Sequence, residues 1–496
     1  MEMFQTYPDL LIRQNRYPEV NRVLDQFKTI NDASLYDNPL LKAELLSEEE
    51  LMEERRLSQE IDRLRKRLLI SRTDENLQLQ NEIAALSARK NQISRNSNFT
   101  SGGKNGFKVW AIQSRLNSTQ AILHLTRIRD RFYQVRIYHD DLEVKVLPSG
   151  PSRDMSFEQA IQSLTSGNTD LNSLHEIYQY LGLDGLPSSI HSLIVIPDSY
   201  LYQLPLDVLP VFEPAGSASY GAARYLIEEM EVSYLNNLQE FVTSSPKPFY
   251  ELDFAGFGIS KFQNPETERQ LAPLPQAPLE VKHIGNRLSR FRSIRTYIET
   301  DATPSSFVQS ASQSRILHLS SHSTISENDP LFSRIYLYPE SKETTGSGEF
   351  SGQIFAYQLF DLHLENELIM LNSCESGSGR YFQGSGIMGI SRALRYAGAR
   401  SLILNSWAVN DQFASDFALE FYTHINEGKS RPHALRAAKL YFLKNKNANP
   451  HYWGPYMLNG ERHAMINRPE TYPLYTFLLT FLMAGIWYTR RKQNGR

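Results

Sequence analysis

The chain has 496 residues, of which 41% are hydrophobic and 22% charged, with a net charge of −3 and an isoelectric point near 6.5. That length points to two to four structural units, and the near-neutral charge leaves no electrostatic footprint for binding nucleic acid. Cys374 is the one cysteine, which excludes an intrachain disulfide and any multi-cysteine zinc site.

The opening stretch, MEMFQTYPDLLIRQNRYPEV, has no apolar h-region. No secretory signal is therefore expected, and a reducing compartment is. Residues 1–95 read as a helical arm. Leu57, Ile61, Leu64 and Leu68 recur at helical spacing, and after a break at Ser71–Asp74 so do Leu79, Ile83, Leu86 and Ile93. Charged residues and Gln fill the gaps, so two helices sharing an apolar seam are predicted, as an antiparallel hairpin. Asn96–Phe107 is a Gly/Ser/Asn linker.

Next come strand-like runs, AILHLTRI, YQVRIYH and LEVKVL, which predict a small, partly antiparallel β unit. Leu193–Ile196 is a short apolar run that stops at Pro197-Asp198, as a buried strand ending in a turn does. From Glu251 strand and helix alternate. The strand candidates are DFAGFGI, RILHLSS, SRIYLYP, ELIMLNS and SLILNSW; APLEVKHIGNRLSRF and GIMGISRALRYAG are among the helical stretches between them. Near-continuous apolar strands alternating with helices predict an α/β fold with a mainly parallel sheet covered on both faces. In such sheets the ligand site lies at the carboxyl ends of the strands.

Two of those ends carry reactive side chains: Arg315-Ile-Leu-His-Leu-Ser-Ser-His322-Ser323 and Glu367-Leu-Ile-Met-Leu-Asn-Ser-Cys374-Glu375. If these strands are parallel neighbours, His322 and Cys374 share one edge. An imidazole near a thiol can take its proton during nucleophilic attack. The Gly/Ser-rich loop after Cys374 leaves room for a substrate backbone, and its N–H groups suit a developing oxyanion. The helix expected near Gly386–Ala397 would turn its positive N-terminal end toward the same place. The alternatives are a buried cysteine acting as a small hydrophobe and a structural histidine. His318 lies on the same strand face as His322 but deeper in the apolar run, and reads as a core histidine with a satisfied hydrogen bond.

At these residues the chain resembles the CHAT peptidase family, grouped with caspases, separases and gingipains. The His motif reads Leu317-His-Leu-Ser-Ser-His322-Ser323 and the Cys motif Leu371-Asn-Ser-Cys374-Glu375-Ser-Gly. Further segments match in order: LIVIPDSYLYQLPLDVLP, LAPLPQAPLEV, Gly384–Asp411, FYTHINEGKSRPHALRAAKLYFL and His451–Gly460. The likeness covers about residues 107–467, a span that many ordered blocks make specific. It implies a caspase-like α/β fold, with residues 107–245 a non-catalytic first half and 250–467 the catalytic half. It also implies a cysteine endopeptidase acting on a protein substrate without metal or cofactor. Cys374 would be the nucleophile, His322 the general base, and the backbone N–H groups of Ser323 and Cys374 the oxyanion donors.

Relatives often carry helical repeats before this domain; here no clear 34-residue self-similarity is found, so a sensor or repeat module would be truncated or carried by another chain. The residue after the catalytic His is usually Gly in the family and is Ser323 here. Serine keeps the N–H but loses ready access to positive φ, so a catalytically silent scaffold that recruits partners is the alternative reading. In the related separases an Asp in the segment matching Trp407–Asp411 faces the basic P1 side chain. This resemblance implies an S1 role for Asp411; the competing reading is that Asp411 caps a helix starting near Gln412.

Beyond the last family-like motif, Thr471–Thr489 is a run of 19 uncharged, mostly apolar residues. At a rise of 1.5 Å per residue it spans roughly 28 Å, close to the hydrocarbon thickness of a bilayer. Tyr472, Tyr475, Trp487 and Tyr488 lie near its ends, and Arg490–Lys492 follow it. A single C-terminal transmembrane anchor is expected, with the catalytic domain in the cytoplasm.

Overall fold

The computed structural model describes residues 3–31, scattered positions between 49 and 89, and then 109–214, 219–242, 248–262, 271–326, 332–340, 352–360, 362–372, 381–382, 386–387 and 389–466. Cys374 and Thr471–Thr489 lie outside the described residues. Among the described residues no helix is long and apolar enough to cross a membrane.

Helices α1 (Met3–Arg13) and α2 (Tyr17–Asn31) open the chain. Leu11, Val20, Val23 and Leu24 are buried in a core that also holds Val135, Ile137 and Ile194. Asp9 pairs with Arg131 at 2.6 Å, and the Tyr133 hydroxyl donates to Asp9 at 2.8 Å. These two helices are therefore packed into the first half. The described residues between 49 and 89 are helical, and Leu57, Ile61, Leu64 and Leu79 are buried. Arg89 reaches Glu53 at 3.1 Å. That contact brings the described positions near 53 and 89 side by side.

The main sheet has eleven described strands in the order β3-β2-β1-β4-β5-β16-β15-β12-β8-β6-β7. They are β1 (Gln120–Ile128), β2 (Arg131–Ile137), β3 (Leu142–Pro148), β4 (Ser192–Ile196), β5 (Glu231–Tyr234), β6 (Leu252–Gly258), β7 (Ile294–Ile298), β8 (Ser314–Ser320), β12 (Leu368–Asn372), β15 (Ser401–Asn405) and β16 (Tyr456–Gly460). β1, β2 and β3 form an antiparallel meander, as their alternating runs predict, and β1 joins the rest by parallel pairing with β4. β16 is antiparallel to β15 and parallel to β5, and so fuses the two halves into one sheet. The remaining neighbours, from β15 to β7, are parallel.

Alternation along the strands explains the two-faced burial. Ile316, Met370 and Ile403 face a core with Phe417, Phe421 and Tyr422, whereas Leu317, Leu319, Ile369, Leu371 and Leu404 face a second core with Phe307, Leu359 and Leu394. The first core is covered by α3 (Ala277–Arg287), α4 (Asp411–Asn426) and α5 (Arg431–Asn445). A fully buried ion pair, Lys439–Asp207 at 2.6 Å, links α5 to the first half.

Two sequence expectations need correction. SRIYLYP does not join the main sheet: β10 (Arg334–Tyr336) lies between β9 (Ser323–Thr324) and β11 (Gln353–Phe355) in a separate antiparallel sheet. The nine residues between Thr324 and Arg334 suit antiparallel pairing with β9 and are too few for a parallel crossover beside it. The helix expected from Gly386 begins only at Ile390. Gly386–Ile387 (β14) pairs instead with Tyr381–Phe382 (β13).

Glycines in β6 set how closely α3 can approach. A Cβ on Gly256 would meet Val281 at 2.7 Å, and one on Gly258 would meet the Ala277 carbonyl oxygen at 2.6 Å. Gly256 stands beside His318 in the parallel register. The missing side chains thus let the first turn of α3 lie against the carboxyl ends of β6 and β8.

Candidate active site

β8 and β12 are parallel neighbours, with Asn372 directly opposite Ser320. His322 follows Ser320 by two residues, and Cys374 follows Asn372 by two. That length of chain spans at most about 7 Å, and neighbouring strands lie about 4.8 Å apart. The two segments that carry the candidate nucleophile and base therefore leave the same edge of the sheet at the same level. Cys374 is outside the described residues, which on this strand end at Asn372.

His322 is buried. Its ring lies 4.7 Å from that of Phe262, and its Nε2 is 2.8 Å from the carbonyl oxygen of Ala272. A carbonyl can only accept, so Nε2 carries the hydrogen and Nδ1 of the neutral ring presents its lone pair. Nδ1 has no partner among the described residues. A ring held in this tautomer is set up to take a proton.

Ser323 opens β9. It is not among the non-glycine residues with positive φ, so its backbone needs nothing that only glycine supplies. The Tyr336 amide donates to the His322 carbonyl, and Ser323 stands opposite Ile335. Antiparallel strands alternate hydrogen-bonded and non-hydrogen-bonded pairs, which turns the Ser323 amide away from β10.

Asp411 is the first residue of α4 rather than its cap. The Asn410 side chain accepts from the Gln412 amide and fills the cap position, which overturns the capping reading of Asp411. The Asp411 carboxylate instead accepts the Gln276 amide at 2.8 Å. Burial holds the Asp411 carboxyl above the usual carboxylate range; the Gln276 amide opposes this, Glu280 adds to it, and the His322 imidazole opposes it more weakly. The segment LAPLPQ thus supplies the carbonyl that orients His322 and the amide that holds Asp411. Its role was hidden in the sequence, because both contacts come from its backbone.

His318 is fully buried and occupied. Its Nε2 donates to Glu280 at 2.7 Å, and the Tyr422 hydroxyl donates to Nδ1 at 3.3 Å. It is a core histidine with both nitrogens paired, as its depth in the apolar run predicts. Sequence reasoning missed Glu280, Asn372 and Asn405. One signal was present: Leu-Asn-Ser closes both ELIMLNS and SLILNSW, and polar Asn after a buried apolar run invites a partner. Among the described residues no group of three or more His, Cys, Asp or Glu side chains is placed to hold a metal ion.

A family model described as the CHAT domain matches residues 171–461, well over half of the chain. The chain belongs to the CHAT domain family. The match opens at Leu171 and so covers less of the first half than the motifs alone suggest. In this CHAT domain the His motif is the end of β8 and the Cys motif starts at the end of β12. No curated protein matches the chain. Among solved structures it is similar to the Saccharomyces cerevisiae separase in its complex with securin, at 9% identity and a TM-score of 0.47, over 76% of this chain and 32% of that one. It is also similar to gingipain R, an Arg-specific cysteine proteinase, at 8% identity and a TM-score of 0.38, over 64% of this chain and 76% of that one. The Porphyromonas gingivalis complex of RgpB pro- and mature domains gives 9% identity and a TM-score of 0.37 over the same shares. The CHAT chain thus spans about a third of the separase chain.

Proposed function

We propose that this CHAT protein is a cysteine endopeptidase acting on a protein substrate. The observation that carries the reading is the alignment of Ser320 with Asn372 on neighbouring parallel strands, two residues short of His322 and Cys374. The Ala272 carbonyl supports it by holding His322 in the tautomer a base needs. In this scheme the Cys374 thiol passes its proton to His322 Nδ1 and the sulfur attacks the scissile carbonyl. Amides of Ser323 and Cys374 hold the oxyanion. The imidazolium then protonates the leaving amine, and water hydrolyses the thioester. Asp411, half-buried beside this edge, is the proposed S1 carboxylate for Arg or Lys at P1.

The silent-scaffold alternative rested on Ser323 needing a glycine conformation, and the backbone there does not require one. Activation by a separate sensor or helical-repeat chain, and a single-pass C-terminal anchor with the catalytic domain in the cytoplasm, belong to the same proposal. The last described residues lie at the amino edge of the sheet, where Arg315 donates to the Met465 carbonyl and the Glu461 amide to that of Arg400. An anchor following them would hold the domain by the edge opposite the site. The test is a thiol-directed peptidyl electrophile combined with a peptide-library cleavage profile. Labelling at Cys374 that depends on His322, together with peptide cleavage, supports the reading; labelling indifferent to His322, without cleavage, sinks it.

A further inference from the structure

Beneath the edge that carries His322 lies a buried polar knot that the peptidase scheme does not use. Glu280 sits in the first turn of α3 and is buried. One carboxylate oxygen accepts from His318 Nε2 at 2.7 Å and from Asn372 Nδ2 at 2.9 Å; the other accepts from the Ser320 hydroxyl at 3.0 Å. Asn372 in turn accepts from Asn405 Nδ2 at 3.3 Å. One side chain on a helix thus joins the ends of β8 and β12, with β15 one hydrogen bond further on.

The position of this knot gives it a consequence for the site. Ser320 and Asn372 are the last residues of their strands, each two residues before a proposed catalytic side chain. α3 is the helix entered directly from the segment that carries the Ala272 carbonyl and the Gln276 amide. A plain apolar contact would cover the sheet equally well. Three directed hydrogen bonds to one buried carboxylate instead fix distances between elements, because a buried acceptor or donor left unpaired is costly. We propose that Glu280 is a positioning residue that sets the spacing between the His322 and Cys374 segments. The proposal rests on the reading of these two residues as base and nucleophile.

Cys374 is the one cysteine of the chain, so alkylation by iodoacetamide reports on it alone. The experiment measures the alkylation rate of the full chain against pH, beside its thermal midpoint. The parent should show a thiolate fraction at neutral pH that His322→Ala removes. Glu280→Ala should move the profile toward that of a free thiol and slow alkylation at pH 7 by a factor of about ten. Glu280→Gln should restore most of the parent profile, since its oxygen still accepts from His318 and Asn372 while its amide donates to the Ser320 hydroxyl. Asn372→Ala leaves the His318 and Ser320 contacts of Glu280 in place, removes its link to β12 together with the acceptor for Asn405, and should shift the profile as Glu280→Ala does.

A Glu280→Ala protein with a lowered midpoint but the parent's alkylation profile overturns the positioning role and leaves a structural one. If Glu280→Ala does not fold, Asn372→Ala decides, and a parent-like profile in it has the same meaning. A parent profile that His322→Ala does not alter defeats the catalytic pair itself, and this proposal with it.

Discussion

His322 Nε2 lies 2.8 Å from the carbonyl oxygen of Ala272, fifty residues earlier in the chain. Four residues after Ala272, the Gln276 amide donates to Asp411. One short backbone segment therefore holds both the proposed base and the proposed specificity residue.

Cys374→Ala and His322→Ala should each abolish peptide cleavage, by several orders of magnitude, with the fold intact by circular dichroism. His318→Ala should act differently. It removes a donor from buried Glu280 and a ring packed against Phe254 and Tyr422, so its main effect is a loss of stability of about 3 kcal/mol. A well-folded but inactive His318→Ala protein, beside a His322→Ala protein that still cuts, would reverse the assignment of the base.

Ser323 contributes through its backbone amide in the proposed scheme. Ser323→Ala should leave kcat within about twofold, because the N–H remains and φ is already negative. Ser323→Pro removes the N–H and should lower kcat by roughly a hundredfold or more, the usual cost of an oxyanion donor. Equal activity in the two variants would take Ser323 out of the oxyanion site.

Asp411 should select Arg or Lys at P1, and Asp411→Asn should lose that selection in a cleavage profile. A parent preference for Asp or an apolar residue at P1 would remove the S1 role. The same carboxyl has a testable pH signature. Burial raises its pKa, so the folded state binds this proton more tightly than the unfolded state. Its contribution to stability is full below the unfolded value of about 3.9 and is lost as pH rises through the folded value. Asp411→Asn keeps an acceptor for the Gln276 amide without titrating. Its thermal midpoint relative to the parent should therefore rise with pH across that window.

The anchor is checked by fractionation of the full chain beside one ending at Arg468. The full chain should sediment with membranes and need detergent for release, and the shorter one should stay in the supernatant. Two soluble proteins, or two that sediment equally, would dismiss Thr471–Thr489 as the anchor.

Much of the site was legible because its signals are local. An apolar run that ends in Ser or Asn marks a buried strand and its carboxyl edge, and both His322 and Cys374 stand just beyond such an edge. The depth of His318 in its run marked it as a core residue for the same reason. SRIYLYP misled because composition favours a strand without saying which sheet it joins; its partners, β9 and β11, come from tertiary pairing alone.

By itself the sequence determined the elements, the family motifs and the reactive residue types, since periodicity and composition act over a few residues. Only the tertiary structure decided that β8 and β12 are neighbours in a register that aligns Ser320 with Asn372. It also decided that Asn410 caps α4 while Asp411 turns to Gln276. Glu280 shows the reason most plainly: its partners lie 38, 40 and 92 residues away in the chain. A contact at such separation leaves no periodic trace in sequence, and it exists because glycines in β6 let a helix approach closely enough for one carboxylate to reach His318, Ser320 and Asn372.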